Sequence, residues 1–252
     1  MSTATLTAPL GARDARPGLA RLTAVELRKM TDTRAGFWLL LSTAALTVVA
    51  AVLLAVFGNE EDMTLREFFG VAVAPASILL PIVGILLVSS EWSQRTSVLT
   101  FALVPERSRV MGAKLAASVA LSIAALQIGL AVAVLTTAIV DGEWTLSAWM
   151  LGQTAISVVT GMISGVAFGA LFLASAPAIV LYFGLPLAWT ALGSLPFLEG
   201  TARWLDGARS LTPLTEEMMS TTQWARAGTT LAVWMVLPLL IGLWRVTRGD
   251  VR

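Results

Sequence analysis

An all-α, polytopic membrane protein with six transmembrane helices is the fold class this sequence predicts. Three observations carry that reading. First, 56% of the 252 residues are hydrophobic and only 13% are charged, with a mean hydropathy of +0.80; a soluble domain carries about 25% charge. Second, the charges are excluded from long stretches. No Asp, Glu, Lys or Arg occurs in 35–59, 68–90, 115–140, 144–198 or 227–244. Third, the basic residues are unevenly shared between the segments that separate those stretches.

A spanning helix needs about 20 residues. Four of the runs fit one helix each, and the 55-residue run 144–198 fits two. Its natural break is Ala174-Ser175-Ala176-Pro177, because proline suits a helix start and not a helix interior. The predicted spans are about 36–57, 70–90, 115–139, 150–173, 178–198 and 227–244. The first apolar run begins too late and is too long for a secretory signal.

Orientation follows from lysine and arginine. Thirteen of the 17 lie in the N-terminal segment, in 91–114 or in the tail; the opposite side has Arg66, Arg203, Arg209 and Arg226. Both termini are therefore expected in the cytoplasm, in a multi-pass protein of the plasma membrane. Only Lys29 and Lys114 are lysines, an arginine bias that suits a GC-rich bacterial genome.

Residues 1–18 read as a disordered leader. Residues 19–34 read as a helix lying in the membrane interface, with Glu26 near its apolar edge and Arg28 and Lys29 beside it. Residues 35–252 form the six-helix domain. Pro75 and Pro81 in span 2 predict a static bend. Gly161, Gly165 and Gly169 in span 4 form a stripe suited to close helix packing within the subunit. Gln127 and Gln153 are expected to hydrogen-bond between helices. The outer segment 199–226 is expected to carry a short surface helix through Trp204, Leu205, Ala208 and Leu211.

The composition also excludes chemistry. The chain has no His and no Cys, which removes His- or Cys-based metal sites, disulfides and triads built on His. A net charge of +1 gives no reason to expect nucleic acid as a partner. The spans hold no ionisable residue to serve an ion gradient. Neither lysine sits in a phosphate-binding Walker loop. The outer acids Asp141, Glu143, Glu199, Asp206, Glu216 and Glu217 are scattered, so a membrane-embedded transferase is disfavoured. Energy for any transport must come from a partner.

The segment that could receive it is 91–114. Thr96 to Val104 is apolar, too short to span, and bounded by Arg95 and Pro105; it suits a short helix that docks on a soluble partner.

Three motifs now carry a resemblance. Ala24-Val25-Glu26-Leu27-Arg28-Lys29-Met30 with Thr33-Arg34 resembles an E-L-R-K-L…T-R-S opening. Ser90-Glu91-Trp92-Ser93-Gln94-Arg95-Thr96, leading to Pro105-Glu106-Arg107 and Lys114, is similar to G-E-Y-R-x-G-T…P-x-R…K. Arg248-Gly249-Asp250-Val251 resembles a closing R-R-D-V. Together they resemble the permease subunit of bacterial ABC transporters of the type-2 export class. Trp92 stands where that family has Tyr, Arg95 replaces its Gly before Thr, and Gly249 replaces its second Arg.

The resemblance implies a coupling helix within 91–114 that contacts a cytoplasmic ATPase subunit. Glu91, Trp92, Arg95, Thr96, Pro105, Arg107 and Arg109 would be its contacts or local anchors. It implies a second copy of the permease or a paralogue as partner, with lipid around both. The chain itself would bind no cofactor and catalyse nothing, ATP and Mg being held in the partner. A substrate path near spans 2 and 5, with Phe183 and Trp189 as lining candidates, would suit an amphiphilic or apolar cargo such as a drug, antibiotic, peptide or lipid. The alternative is a non-transporting scaffold or sensor subunit that recruits a cytoplasmic partner.

Overall fold

A computed structural model describes residues 18–93, 106–193 and 195–248. Among these described residues 87% are helical and none forms a strand. Helix α1 (Leu19–Asp32) is followed by α2 (Arg34–Phe57), α3 (Leu65–Ser93), α4 (Arg107–Ile139), α5 (Ala148–Phe172) and α6 (Ser175–Leu192). Three short helices follow, α7 (Glu199–Leu205), α8 (Gly207–Leu211) and α9 (Pro213–Glu216). The last, α10 (Thr221–Arg248), contains a π turn at Ala232–Val236.

Helices α2, α3, α4, α5, α6 and α10 are each long and apolar enough to cross a membrane. This bears out the six-span reading, with altered ends. Helix α3 runs unbroken through Pro75 and Pro81, and α4 starts eight residues before the predicted span. Helix α6 stops at Leu192, short of the predicted 198. The break between α5 and α6 falls near its expected place, at Leu173, which adopts a left-handed conformation (φ 55°) to reverse the chain. Exposed Leu53, Val56, Leu135 and Leu187 have no reason to face water on a bundle this apolar and suit a lipid exterior.

The core is built on α3 and α5, the pair in most extensive contact. Glycine explains how they approach so closely. A Cβ at Gly165 would lie 2.1 Å from the Pro81 carbonyl oxygen, and one at Gly169 would lie 2.7 Å from that of Ile85. The facing helix contributes its own gap: a Cβ at Gly84 would lie 2.7 Å from the Met162 carbonyl oxygen. Gly161 differs, since its nearest neighbours would be at ordinary contact distances of 3.8 and 3.9 Å. The glycine stripe is thus a seam inside one chain at Gly165 and Gly169.

The bundle has a basic end and an acidic end. Arg34, Arg107, Lys114, Arg245 and Arg248 gather at the first, where the Arg107 guanidinium donates to the Val246 carbonyl (3.0 Å). At the acidic end the loops after α2 and α4 are clasped. The Glu143 N–H donates to the Met63 carbonyl and the Leu65 N–H to the Glu143 carbonyl, both at 2.8 Å.

The segment between α6 and α10 does not form one surface helix. It breaks at Asp206 into α7 and α8, with Pro213 opening α9. The Trp204 carbonyl accepts from the Thr230 hydroxyl and the Leu205 carbonyl from the Trp234 indole N–H, both at 2.8 Å. Trp234 lies about 20 Å along α10 from Thr221 at 1.5 Å per residue. The segment is therefore a hairpin that packs along α10. Backbone inside an apolar medium must be satisfied by protein groups, and Thr230 and Trp234 do this for the end of α7. Gln153 secures the return. Its amide donates to the Glu217 carbonyl (2.8 Å) and accepts from the Met219 N–H (3.1 Å). Gln153 thus bonds between segments as expected, whereas Gln127 is exposed.

Candidate functional site

Three helices meet at the basic end, and each brings a charge that could not be buried alone. Helix α1 supplies Glu26 and Lys29, one helical turn apart on one face. Helix α3 supplies Glu91 from its last turn, and α4 supplies Lys114 two turns in. Glu26, Glu91 and Lys114 are 4%, 8% and 2% exposed. Burying an isolated charge is costly, so these must be paired.

The pairing is complete for Lys114. Its Nζ lies 2.7 Å from Glu26 Oε2, 2.9 Å from Glu91 Oε1 and 3.0 Å from the Leu87 carbonyl oxygen. Three donors meet three acceptors, which is the full capacity of an ammonium group. Lys29, more exposed, lies 2.7 Å from Glu26 Oε1 and 2.7 Å from Glu91 Oε1. Two carboxylates and two ammonium groups cancel, so the cluster is neutral as a unit. Burial works against the Lys29 charge, but its hydrogen bonds to Glu26 and Glu91 outweigh this and raise its pKa above the ordinary lysine value.

The cluster corrects the placement of Lys114, expected in a loop and found buried inside a helix. It also gives Glu26 a reason. A carboxylate at the edge of an apolar face weakens that face as a hydrophobic surface, but here it is the ligand of a buried lysine. Glu91, a candidate partner contact or anchor, points into this cluster. Trp92 is half-buried and packs against the main core. Arg107 reaches the end of α10 as described, and Arg109 lies 3.6 Å from Glu106. Arg28 faces out and pairs with Asp32 at 2.9 Å. Arg95, Thr96 and Pro105 lie outside the described residues, as do the leader up to residue 17 and Gly249 to Val251.

The segment 94–105 therefore runs from the end of α3, immediately after Glu91, to the start of α4, two turns before Lys114. Whatever acts on that segment acts on two helices whose ends are joined to each other and to α1 through the same four side chains.

Phe183 and Trp189 separate. Phe183 lines a half-open cavity of about 320 Å³ bordered by α3, α5, α6, α10 and the hairpin; Trp189 is not part of its lining. Among the described residues no group of His, Cys, Asp and Glu could hold a metal ion. Compared with protein-family models and with curated proteins, the sequence matches none.

Proposed function

We propose that this chain is the membrane-spanning permease subunit of an ATP-driven ABC transporter, exporting an amphiphilic or apolar substrate from a cell with both termini in the cytoplasm. The observation that supports it most is the four-residue charge cluster. It ties the helix preceding span 1 to both helices that bracket 94–105, the segment whose flanking motifs resemble a coupling loop. ATP binding in a separate subunit would displace that loop. Because Lys114 and Lys29 each bind both Glu26 and Glu91, α1 and the ends of α3 and α4 would move together rather than fray. Buried ion pairs resist such separation, since in a low-dielectric site the partners cannot readily be exchanged for water. Paired bundles, each rocking in this way, would alternate access to a path between them.

Two further features suit this reading. Among the described residues the central stretches of the spans carry no Asp, Glu, Lys or Arg, which suits a soluble energy source rather than an ion gradient. Helix α6 is peripheral, with only 6% of its most apolar stretch buried, leaving its surface for lipid or a second copy.

The test is purification of the tagged full chain in mild detergent from its native membrane, with mass spectrometry of what accompanies it. A near-stoichiometric soluble protein bearing a Walker loop is expected, together with ATP-dependent cargo movement in reconstituted vesicles. Reproducible absence of such a protein from a folded sample overturns the reading; its presence without flux would favour a recruiting scaffold.

A further inference from the structure

The cavity beside Phe183 has two unlike walls. One is a run of hydroxyls. Ser157, Thr160 and Ser164 recur at helical spacing along one face of α5, with Ser77 on α3 and Tyr182 on α6 beside them. The other wall is apolar, formed by Leu211 and Leu214 of the hairpin, Phe183, and Trp234 in the π turn. Among the described residues no charged one lines it.

Of the five hydroxyls on the polar side, Ser157 keeps its proton free, while the protons of the other four are engaged and those four groups give the wall its acceptor character. The Thr160 hydroxyl donates to the Ile156 carbonyl (2.6 Å) and that of Ser164 to the Thr160 carbonyl (2.7 Å). Ser77 donates weakly to Val73, and Tyr182 to Gly161, each at 3.4 Å. The Trp234 N–H is held by the Leu205 carbonyl. What those four hydroxyls still offer is lone pairs.

Proline adds to this surplus of acceptors. Ser77, Tyr182 and Trp234 each precede a proline by four residues, namely Pro81, Pro186 and Pro238. Proline has no N–H, so each of these carbonyls lacks the main-chain donor four residues on. Three prolines on three helices thus remove that donor at residues lining one chamber.

We propose that this chamber is a binding site, within a single chain, for a neutral single-chain amphiphile whose polar end donates hydrogen bonds, such as a long-chain alcohol. An acceptor-rich wall selects a donor. The absence of charge in the lining disfavours an ion, which would lose its hydration without a counter-charge. A volume of about 320 Å³ is at the small end of ligand sites and suits one chain rather than a two-chain lipid. The site needs neither a second copy nor an ATPase, so it stands apart from the transport reading.

The test uses the full-length protein in lipid nanodiscs, labelled by a twelve-carbon primary alcohol carrying a photoreactive diazirine. Labelling is expected in 157–168 and 207–214, displaced about tenfold better by 1-dodecanol than by dodecyl methyl ether, the worth of about one hydrogen bond. Thr160→Val with Ser164→Ala should narrow that ratio to about twofold with the elution profile unchanged. The wild-type competition decides the matter even if the double variant does not fold. Equal displacement by the ether or by dodecyltrimethylammonium overturns the proposal. So does labelling of the lipid-facing residues Leu53 and Val56 as strong as that of the chamber.

Discussion

Lys114 Nζ lies 2.7 Å from Glu26 Oε2 across 88 residues of sequence. This contact fixes α1 to the bundle, and it uses one of only two lysines in the chain. The other, Lys29, is in the same cluster. In a chain that otherwise uses arginine, this concentration has a chemical reason. A lysine ammonium is a compact point charge with three donors that can point at three separate acceptors, whereas the arginine fork is planar and suits one carboxylate face-on.

Lys114→Met should therefore be severely destabilising. It removes the ammonium group buried between Glu26 and Glu91, and breaking a buried pair in this way costs about 3–5 kcal/mol. Lys114→Arg should not rescue it fully, since the planar fork cannot reproduce the bonds to Glu26, Glu91 and the Leu87 carbonyl together. Thermal unfolding of the purified protein measures both; a Lys114→Met variant as stable as wild type would contradict the role assigned to the cluster.

The cluster should be insensitive to pH through the neutral range and fail under alkali. The folded pKa of Lys29 is raised, so its contribution is fully present below the unfolded lysine value of about 10.4 and is lost as pH rises through the still higher folded value. Limited proteolysis within α1 should stay constant from pH 6 to about 9 and increase only at pH values above the ordinary lysine pKa of about 10.4. Release of α1 already at neutral pH would show that Lys29 does not hold it.

Glycines of one sequence stripe should respond differently. Gly165→Ala forces a methyl onto the Pro81 carbonyl and should cost at least about 1–3 kcal/mol, the range for overpacking. Gly161→Ala meets only ordinary contacts and should change stability by under about 0.5 kcal/mol. Equal effects in thermal unfolding would mean that the α3–α5 seam is not as close as described.

Gln153→Leu should loosen the hairpin while leaving the spans intact. It strips partners from the Glu217 carbonyl and the Met219 N–H, at about 1–3 kcal/mol for a buried group left unsatisfied. Hydrogen exchange should quicken at 213–219 and remain slow in α3 and α5. Uniform quickening would instead indicate global destabilisation.

The six spans were legible in the sequence because bilayer thickness acts on each segment separately, and a charge-free run of the right length declares itself. The break near Pro177 was legible for the same reason, as a local steric rule. Gly165 and Gly169 could be read as packing residues, but nothing in the stripe distinguished them from Gly161. Their mates, Pro81 and Ile85, belong to another helix. The hairpin was read as one short surface helix because Trp204, Leu205 and Leu211 sit close to helical spacing, and the break at Asp206 does not show in that spacing. The acceptors that Thr230 and Trp234 satisfy cannot be seen from their own spacing. Lys114 was placed in a loop because a charge marks the edge of an apolar run; its scarcity beside 15 arginines was the one signal available.

By itself, then, the sequence determined a six-span bundle with its basic residues gathered toward one end, since hydropathy and charge act through local length and composition. The tertiary structure decided which charges neutralise one another, which glycines touch backbone, how the hairpin packs along α10, and where a cavity with unlike walls is left. Those outcomes depend on distances between residues far apart in the chain. A buried charge or an unpaired carbonyl is settled only by the partner that packing brings within about 3 Å.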